Sequence, residues 1–204
     1  MLPAGVMKTV SSMGRSKAFN LANMLTYGRL AAVPAVVGLL FWPEDHWSRW
    51  FALAVFAIAA ITDYLDGYVA RTFAQQSALG RMLDPIADKL LVAATLLMLV
   101  ADGTIKGWAL WAAIVILCRE ILVSGLREFL AELKVSVPVS RVAKWKTTLQ
   151  LVALGFLIAG PAGETVLPNN ILIGTILLWI AAILTIYTGW DYFKNGIHHL
   201  MDEG

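Results

Sequence analysis

The sequence predicts an all-α integral membrane protein. The expected form is a six-transmembrane-helix bundle behind an N-terminal surface segment, with both termini cytoplasmic. Three observations carry this. Of 204 residues, 59% are hydrophobic and 15% charged, with a mean hydropathy of +0.71, whereas soluble domains hold about 45–50% apolar and about 25% charged residues. Six apolar stretches approach the roughly 20 residues that cross a bilayer's hydrocarbon. Lysine and arginine are distributed unevenly around those stretches, as the positive-inside rule requires.

Residues 1–20 hold Lys8, Arg15 and Lys17 but no apolar run of signal-peptide length, so they are expected to lie on the membrane surface, with the first span acting as the insertion signal. The remaining residues, 21–204, form one domain. Its expected spans are 25–41, 50–70, 83–101, 108–130, 142–159 and 171–190. Turn chemistry fills the gaps: Trp-Pro-Glu-Asp-His at 42–46, Asp-Gly-Thr at 102–104, Gly-Pro-Ala-Gly at 160–163, and Pro168-Asn-Asn before the last span. With the N-terminus inside, only Arg49 and Lys106 fall on the outer side, and the other 14 of the 16 Lys/Arg fall on or toward the cytoplasmic side. Trp42, Trp47, Trp50, Trp108, Trp145 and Trp190 lie near span ends, as interfacial belt residues do.

Composition also excludes functions. A net charge of +2 without a long basic run gives no footing for nucleic acid. The single cysteine, Cys118, rules out an intrachain disulfide and a cysteine-based zinc cage, and its apolar neighbours suggest a core position.

Four aspartates interrupt this apolar background. Asp63 and Asp66 close the second span, and Asp84 and Asp88 open the third. Each such carboxylate costs about 2.5–3.5 kcal/mol at a span centre on insertion scales. Arg71, Arg81 and Lys89 are the nearby positive charges, so bound divalent cations are the simplest compensation. On an α-helix Asp63, Asp66, Gly67 and Ala70 share one stripe, and Asp84 and Asp88 share a face of the next helix. A loop of about ten residues would make those helices antiparallel neighbours and bring both carboxylate pairs together.

Oxygen-only ligation selects Mg²⁺ or Mn²⁺, and four carboxylates suit two ions about 3.5–4 Å apart, the arrangement used for displacement at phosphorus. Gly67 and Ala70 leave room for a diphosphate, Gly80 relaxes the chain, Arg71 offers a planar fork to phosphate oxygens, and Pro85 suits a helix's first turn. Two other readings of the acids remain at this point: interhelical or water-facing charges, and the path of a metal or proton transporter. Their clustering at one membrane face weighs against the transporter, as does the lack of paired broken spans in the two halves.

The pattern Asp-x2-Asp-Gly-x2-Ala-Arg-x8-Gly-x3-Asp-x3-Asp, met by Asp63 through Asp88 without departure, resembles the signature of the CDP-alcohol phosphotransferases. The resemblance implies transfer of a phosphatidyl or similar group from a CDP-linked donor to an alcohol, with release of CMP. It implies two divalent cations on Asp63, Asp66, Asp84 and Asp88, nucleotide contacts from Asp66, Gly67, Ala70, Arg71 and Gly80, and Asp88 as the catalytic general base.

The second half bears on the acceptor. Glu120, Ser124, Arg127 and Glu128 share a stripe of the fourth span with Arg119 on its flank, and Ser140 is a suitable N-cap for the fifth. Arg119, Arg127 and one of Lys144 and Lys146 could form a cationic pocket for a phosphorylated acceptor; the two lysines point about 160° apart on a regular helix. Alternatively these cations are anchors that snorkel to headgroups, or Glu120 pairs with Arg127.

The Arg119-Glu-Ile and Leu126-Arg-Glu stretches, Val139-Ser-x3-Lys-x-Lys-Thr and the 20–29 segment resemble the phosphatidylglycerophosphate synthases of bacteria, although Ala22 stands where that group often has proline. That implies CDP-diacylglycerol as donor, sn-glycerol 3-phosphate as acceptor, and Thr26 and Arg29 as acceptor-binding residues. It further implies a homodimer among the lipids of the bacterial cytoplasmic (inner) membrane, its active site facing the cytoplasm. Serine, inositol phosphate and phosphatidylglycerol are the alternative acceptors.

Overall fold

The computed structural model describes residues 21–42, 45–73, 78–133 and 141–202. The side chains of 21–23, 63–73, 78–81, 132, 141–144, 191–192 and 195–202 lie outside the described residues. The expected surface segment at 1–20 and the Ser140 cap also lie outside them.

All regular structure among the described residues is helical, in six elements: α1 (Leu21–Leu40), α2 (His46–Phe73), α3 (Ala78–Ala101), α4 (Ala109–Glu132), α5 (Arg141–Glu164) and α6 (Asn170–Asp202). Each of the six apolar stretches coincides with one of them. Among the described residues two segments, Ala109–Ala131 and Asn170–Trp190, are long and apolar enough to cross a membrane; Met24–Leu40 and His46–Thr62 are shorter apolar stretches. α5 packs most extensively on α6, α1 lies against both α2 and α3, α4 lies against α6, and α2 against α5. Their contact is a continuous apolar core that includes Val36, Phe56, Leu96, Ile116, Leu157 and Leu178. α4 and α6, which pack on each other, each bury small residues, Ala112 and Ala113 on the one and Ala181 and Ala182 on the other. Small side chains let helix backbones approach closely.

The turns follow their sequences. Asp45 caps α2, its carboxylate accepting from the Trp47 N–H at 3.1 Å. At the Gly-Pro of 160–161 the helix breaks, with Gly160 at φ 45 and ψ −128. Glycine is required there twice over, since the φ is left-handed and an added Cβ would lie 2.3 Å from the Arg49 Nη1. At this break the buried Asn170 amide donates to two backbone carbonyls, Phe156 O at 2.8 Å and Gly160 O at 3.1 Å. Glu164 then accepts from the Asn169 and Ile171 N–H groups at 2.8 and 2.9 Å, capping α6.

Several expectations change. α2 runs on to Phe73 and α3 resumes at Ala78, so the connection is far shorter than ten residues. Pro85 therefore sits inside α3 and not in its first turn, where its missing N–H leaves the Arg81 carbonyl without its i+4 donor. α6 continues past Trp190 to Asp202, and its 33 residues amount to about 50 Å of helix. Cys118 is exposed and not a core residue; α4 is apolar on more than its buried side, so neighbouring hydrophobic residues did not mark the inward face. Arg49, which the charge count places on the outer side, is 1% exposed. Its Nη2 donates to Asp102 Oδ2 at 2.5 Å and to Thr104 Oγ1 at 3.2 Å, and its Nη1 to Ile158 O at 3.1 Å. This arginine ties the start of α2 to the α3–α4 turn and to the break in α5. Trp42, Trp47, Trp108 and Trp145 are exposed near helix ends, where belt residues belong, whereas Trp50 is half-buried and Trp190, though exposed, lies within α6.

Candidate active site

Asp84 and Asp88 lie one turn apart on α3, so their side chains leave the same face. Asp84 is held from α1. Thr26, 1% exposed, donates its hydroxyl to Asp84 Oδ1 at 2.5 Å, and Arg29 Nη1 lies 3.9 Å from the same oxygen. Thr26 and Arg29 are three residues apart on α1, which is why one helix face delivers both. A hydrogen bond to a charged group fixes the carboxylate's orientation and contributes about 1.5–3 kcal/mol. The first helix thus reaches the aspartates, at a carboxylate that sequence reasoning assigned to metal.

Asp63, Asp66, Gly67, Ala70 and Arg71 lie on α2 and Gly80 on α3, with their side chains outside the described residues. Among the described residues no three carboxylate, histidine or cysteine side chains cluster as a metal site would, since two of the four expected ligands are not among them. The described part fits a hard cation in kind: two carboxylates a turn apart on α3, one of them already oriented by a hydroxyl.

Beside Asp88 a small cleft of about 30 Å³ opens between α3, α4 and α5. Asp88 and Lys89 form its α3 wall, Glu120 its α4 wall, and Thr147 and Gln150 its α5 wall. Lys89 donates to the Ser124 hydroxyl across to α4. Behind the cleft, Glu120 is gripped from two sides, by the buried Lys146 ammonium and by Arg119 Nη1 at 3.2 Å. Arg119 Nη2 also reaches Thr188 Oγ1 on α6 at 3.2 Å. Two cations share one carboxylate, so the cluster carries net positive charge in a part-buried setting, where an anion is held more strongly than in open water.

Four of the six proposed acceptor residues are thereby placed in two groups, Thr26 with Arg29 at Asp84, and Arg119 with Lys146 at Glu120. Arg127 is exposed two turns beyond Glu120, and Glu120 takes Lys146 and Arg119 as partners instead of Arg127. Lys144 lies on α5 with its side chain outside the described residues; Lys146 is the described lysine that enters the cluster. Sequence reasoning missed Gln150. Its signal was its place four residues after Lys146 in an otherwise apolar stretch, which puts both on one face of α5.

A family model described as CDP-alcohol phosphatidyltransferase matches residues 19–187. The chain belongs to that family. Among its relatives, a Rickettsia bellii protein named CDP-diacylglycerol–glycerol-3-phosphate 3-phosphatidyltransferase is 48% identical over 175 residues, covering 86% of this chain and 94% of the relative. Proteins with the same name from Pseudomonas fluorescens and Cereibacter sphaeroides are 41% and 37% identical, each covering 91% of this chain and 94% and 99% of their own lengths.

Proposed function

We propose that the chain transfers the phosphatidyl group of CDP-diacylglycerol to sn-glycerol 3-phosphate, giving phosphatidylglycerophosphate and CMP. The acceptor's hydroxyl oxygen forms a new bond to the phosphorus that bears the diacylglycerol. The bond from that phosphorus to the CMP oxygen breaks, and the hydroxyl proton passes to Asp88. One observation carries the acceptor's side of this reading: Asp88 opens onto a cleft whose far wall, at Glu120, is backed by Lys146 and Arg119. A small phosphorylated alcohol approaching from the cleft would set its hydroxyl toward Asp88 and its phosphate toward Lys89, which lines the cleft, and the Lys146–Arg119 pair behind Glu120.

Asp63, Asp66, Asp84 and Asp88 would hold two Mg²⁺ or Mn²⁺ ions, with Thr26 and Arg29 setting the orientation of Asp84. Bound there, the ions supply charge stabilisation for the diphosphate and the departing CMP. Asp66, Gly67, Ala70, Arg71 and Gly80 would receive the nucleotide. The six helices would all cross the bacterial cytoplasmic membrane with both termini and the aspartates on the cytoplasmic side, as a homodimer.

Purified protein supplied with CDP-diacylglycerol, glycerol 3-phosphate and Mg²⁺ or Mn²⁺ is expected to release CMP, and chelation is expected to stop it. CMP release with serine, inositol phosphate or phosphatidylglycerol but not with glycerol 3-phosphate would replace the acceptor. Cation flux into proteoliposomes without CMP under any acceptor would replace the reaction.

A further inference from the structure

Gln150 sits on the α5 wall of the cleft, 3% exposed, and its Oε1 has no hydrogen-bond partner. Buried amide oxygens are nearly always given a donor, because leaving one without costs the hydration it lost. A cleft wall is the place where a ligand can supply that donor. The chemistry of the ligand group follows from the atom: a carbonyl oxygen accepts a hydrogen bond and repels phosphate oxygens, so it calls for a hydroxyl and not for the anionic end of the acceptor. Asp88, on the opposing α3 wall, takes the hydroxyl that reacts. Gln150 is thus left for a second hydroxyl on the same molecule.

We propose that Gln150 determines acceptor specificity, its amide oxygen accepting from the non-reacting hydroxyl next to the reacting one. The acceptor class it selects is a phosphorylated vicinal diol. This inference rests on the proposed glycerol 3-phosphate reaction and adds what tells that acceptor from a phosphorylated simple alcohol. Gln150 acts as a positioning residue: with the neighbouring hydroxyl fixed on α5, rotation about the carbon chain is restricted and the reacting oxygen stays toward α3.

The test compares glycerol 3-phosphate with 3-hydroxypropyl phosphate, which lacks only the middle hydroxyl, in CMP-release assays of the purified full-length enzyme. Wild-type enzyme is expected to favour glycerol 3-phosphate by about tenfold to a hundredfold in kcat/KM. Gln150→Leu and the unbranched Gln150→Met should lose that preference through a lower kcat as well as a higher acceptor KM, while kcat/KM for 3-hydroxypropyl phosphate and the KM for CDP-diacylglycerol stay within about twofold. A wild-type enzyme that uses both acceptors equally overturns the inference whether or not the variants fold. Equal losses on both acceptors in the variants overturn it too, because they mark Gln150 as structural. If wild-type enzyme releases no CMP with glycerol 3-phosphate but does so with another alcohol, the acceptor assignment itself fails, and this inference with it.

Discussion

Arg49→Met removes one side of a buried ion pair at the end of α2 remote from the aspartates. In the native fold Arg49 and Asp102 side chains are 1% and 2% exposed, 2.5 Å apart. After the substitution Asp102 keeps the Thr104 N–H at 2.8 Å but loses its countercharge, and the Ile158 carbonyl loses its guanidinium donor at 3.1 Å. Breaking a buried pair from one side costs about 3–5 kcal/mol, because the remaining charge is buried uncompensated. For a domain of this size each kcal/mol lowers Tm by about 2–4 °C, so the expected fall is about 6–20 °C. Tryptophan fluorescence or circular dichroism in detergent should follow it. A thiol-reactive dye would not serve, since Cys118 is exposed in the folded protein. The double variant Arg49→Met/Asp102→Leu should recover much of the loss, because no lone charge remains. CMP release below the transition should be close to wild type in both. If the single variant melts within a degree or so of wild type, or the double variant is the less stable of the two, the account of Arg49 as a buried tie between α2, α3 and α5 is wrong.

Other expectations concern the site. Asp88→Asn should abolish CMP release while CDP-diacylglycerol still binds in part, as measured by equilibrium binding; appreciable turnover would remove Asp88 as the base. Thr26→Val deletes the 2.5 Å hydrogen bond to Asp84 and should cost roughly tenfold in turnover or in the Mg²⁺ concentration giving half-maximal rate, from about 1.5 kcal/mol. An unchanged metal titration and rate would show that Asp84 does not need it. Lys146→Met should raise the KM for glycerol 3-phosphate well above the effect of Arg127→Ala, since Lys146 is buried on Glu120 whereas Arg127 is exposed; the reverse order would exchange their roles. In membranes Cys118 should react with a lipid-partitioning maleimide and resist a charged one, as read by mass shift.

The family was legible early because its signature interrupts the background. Carboxylates in apolar helices stand out whatever the fold does around them, and their spacing against Gly67, Ala70 and Arg71 carries the family pattern. The acceptor side was less legible. Arg119, Arg127, Lys144 and Lys146 form one cationic set in the sequence, and helical geometry could say only that the two lysines diverge. Which cation enters depends on where α5 turns its face toward α4. Gln150 carries no charge to draw notice, and its meaning comes from burial and from the atoms opposite it.

By itself the sequence determined that this chain is helical and where its helices lie to within about five residues, except that α6 runs on past Trp190 to Asp202. Length, hydropathy and turn residues are local properties, so no knowledge of packing was needed. Tertiary structure alone decided the inward faces: Cys118 outside, Arg49 sealed between three helices, Gln150 against the cleft. The reason is that a helix built for lipid is apolar toward its neighbours and toward the hydrocarbon alike, so the polarity pattern that marks the buried face of a water-soluble helix is largely erased. Only the contacts of the folded bundle tell one face from the other.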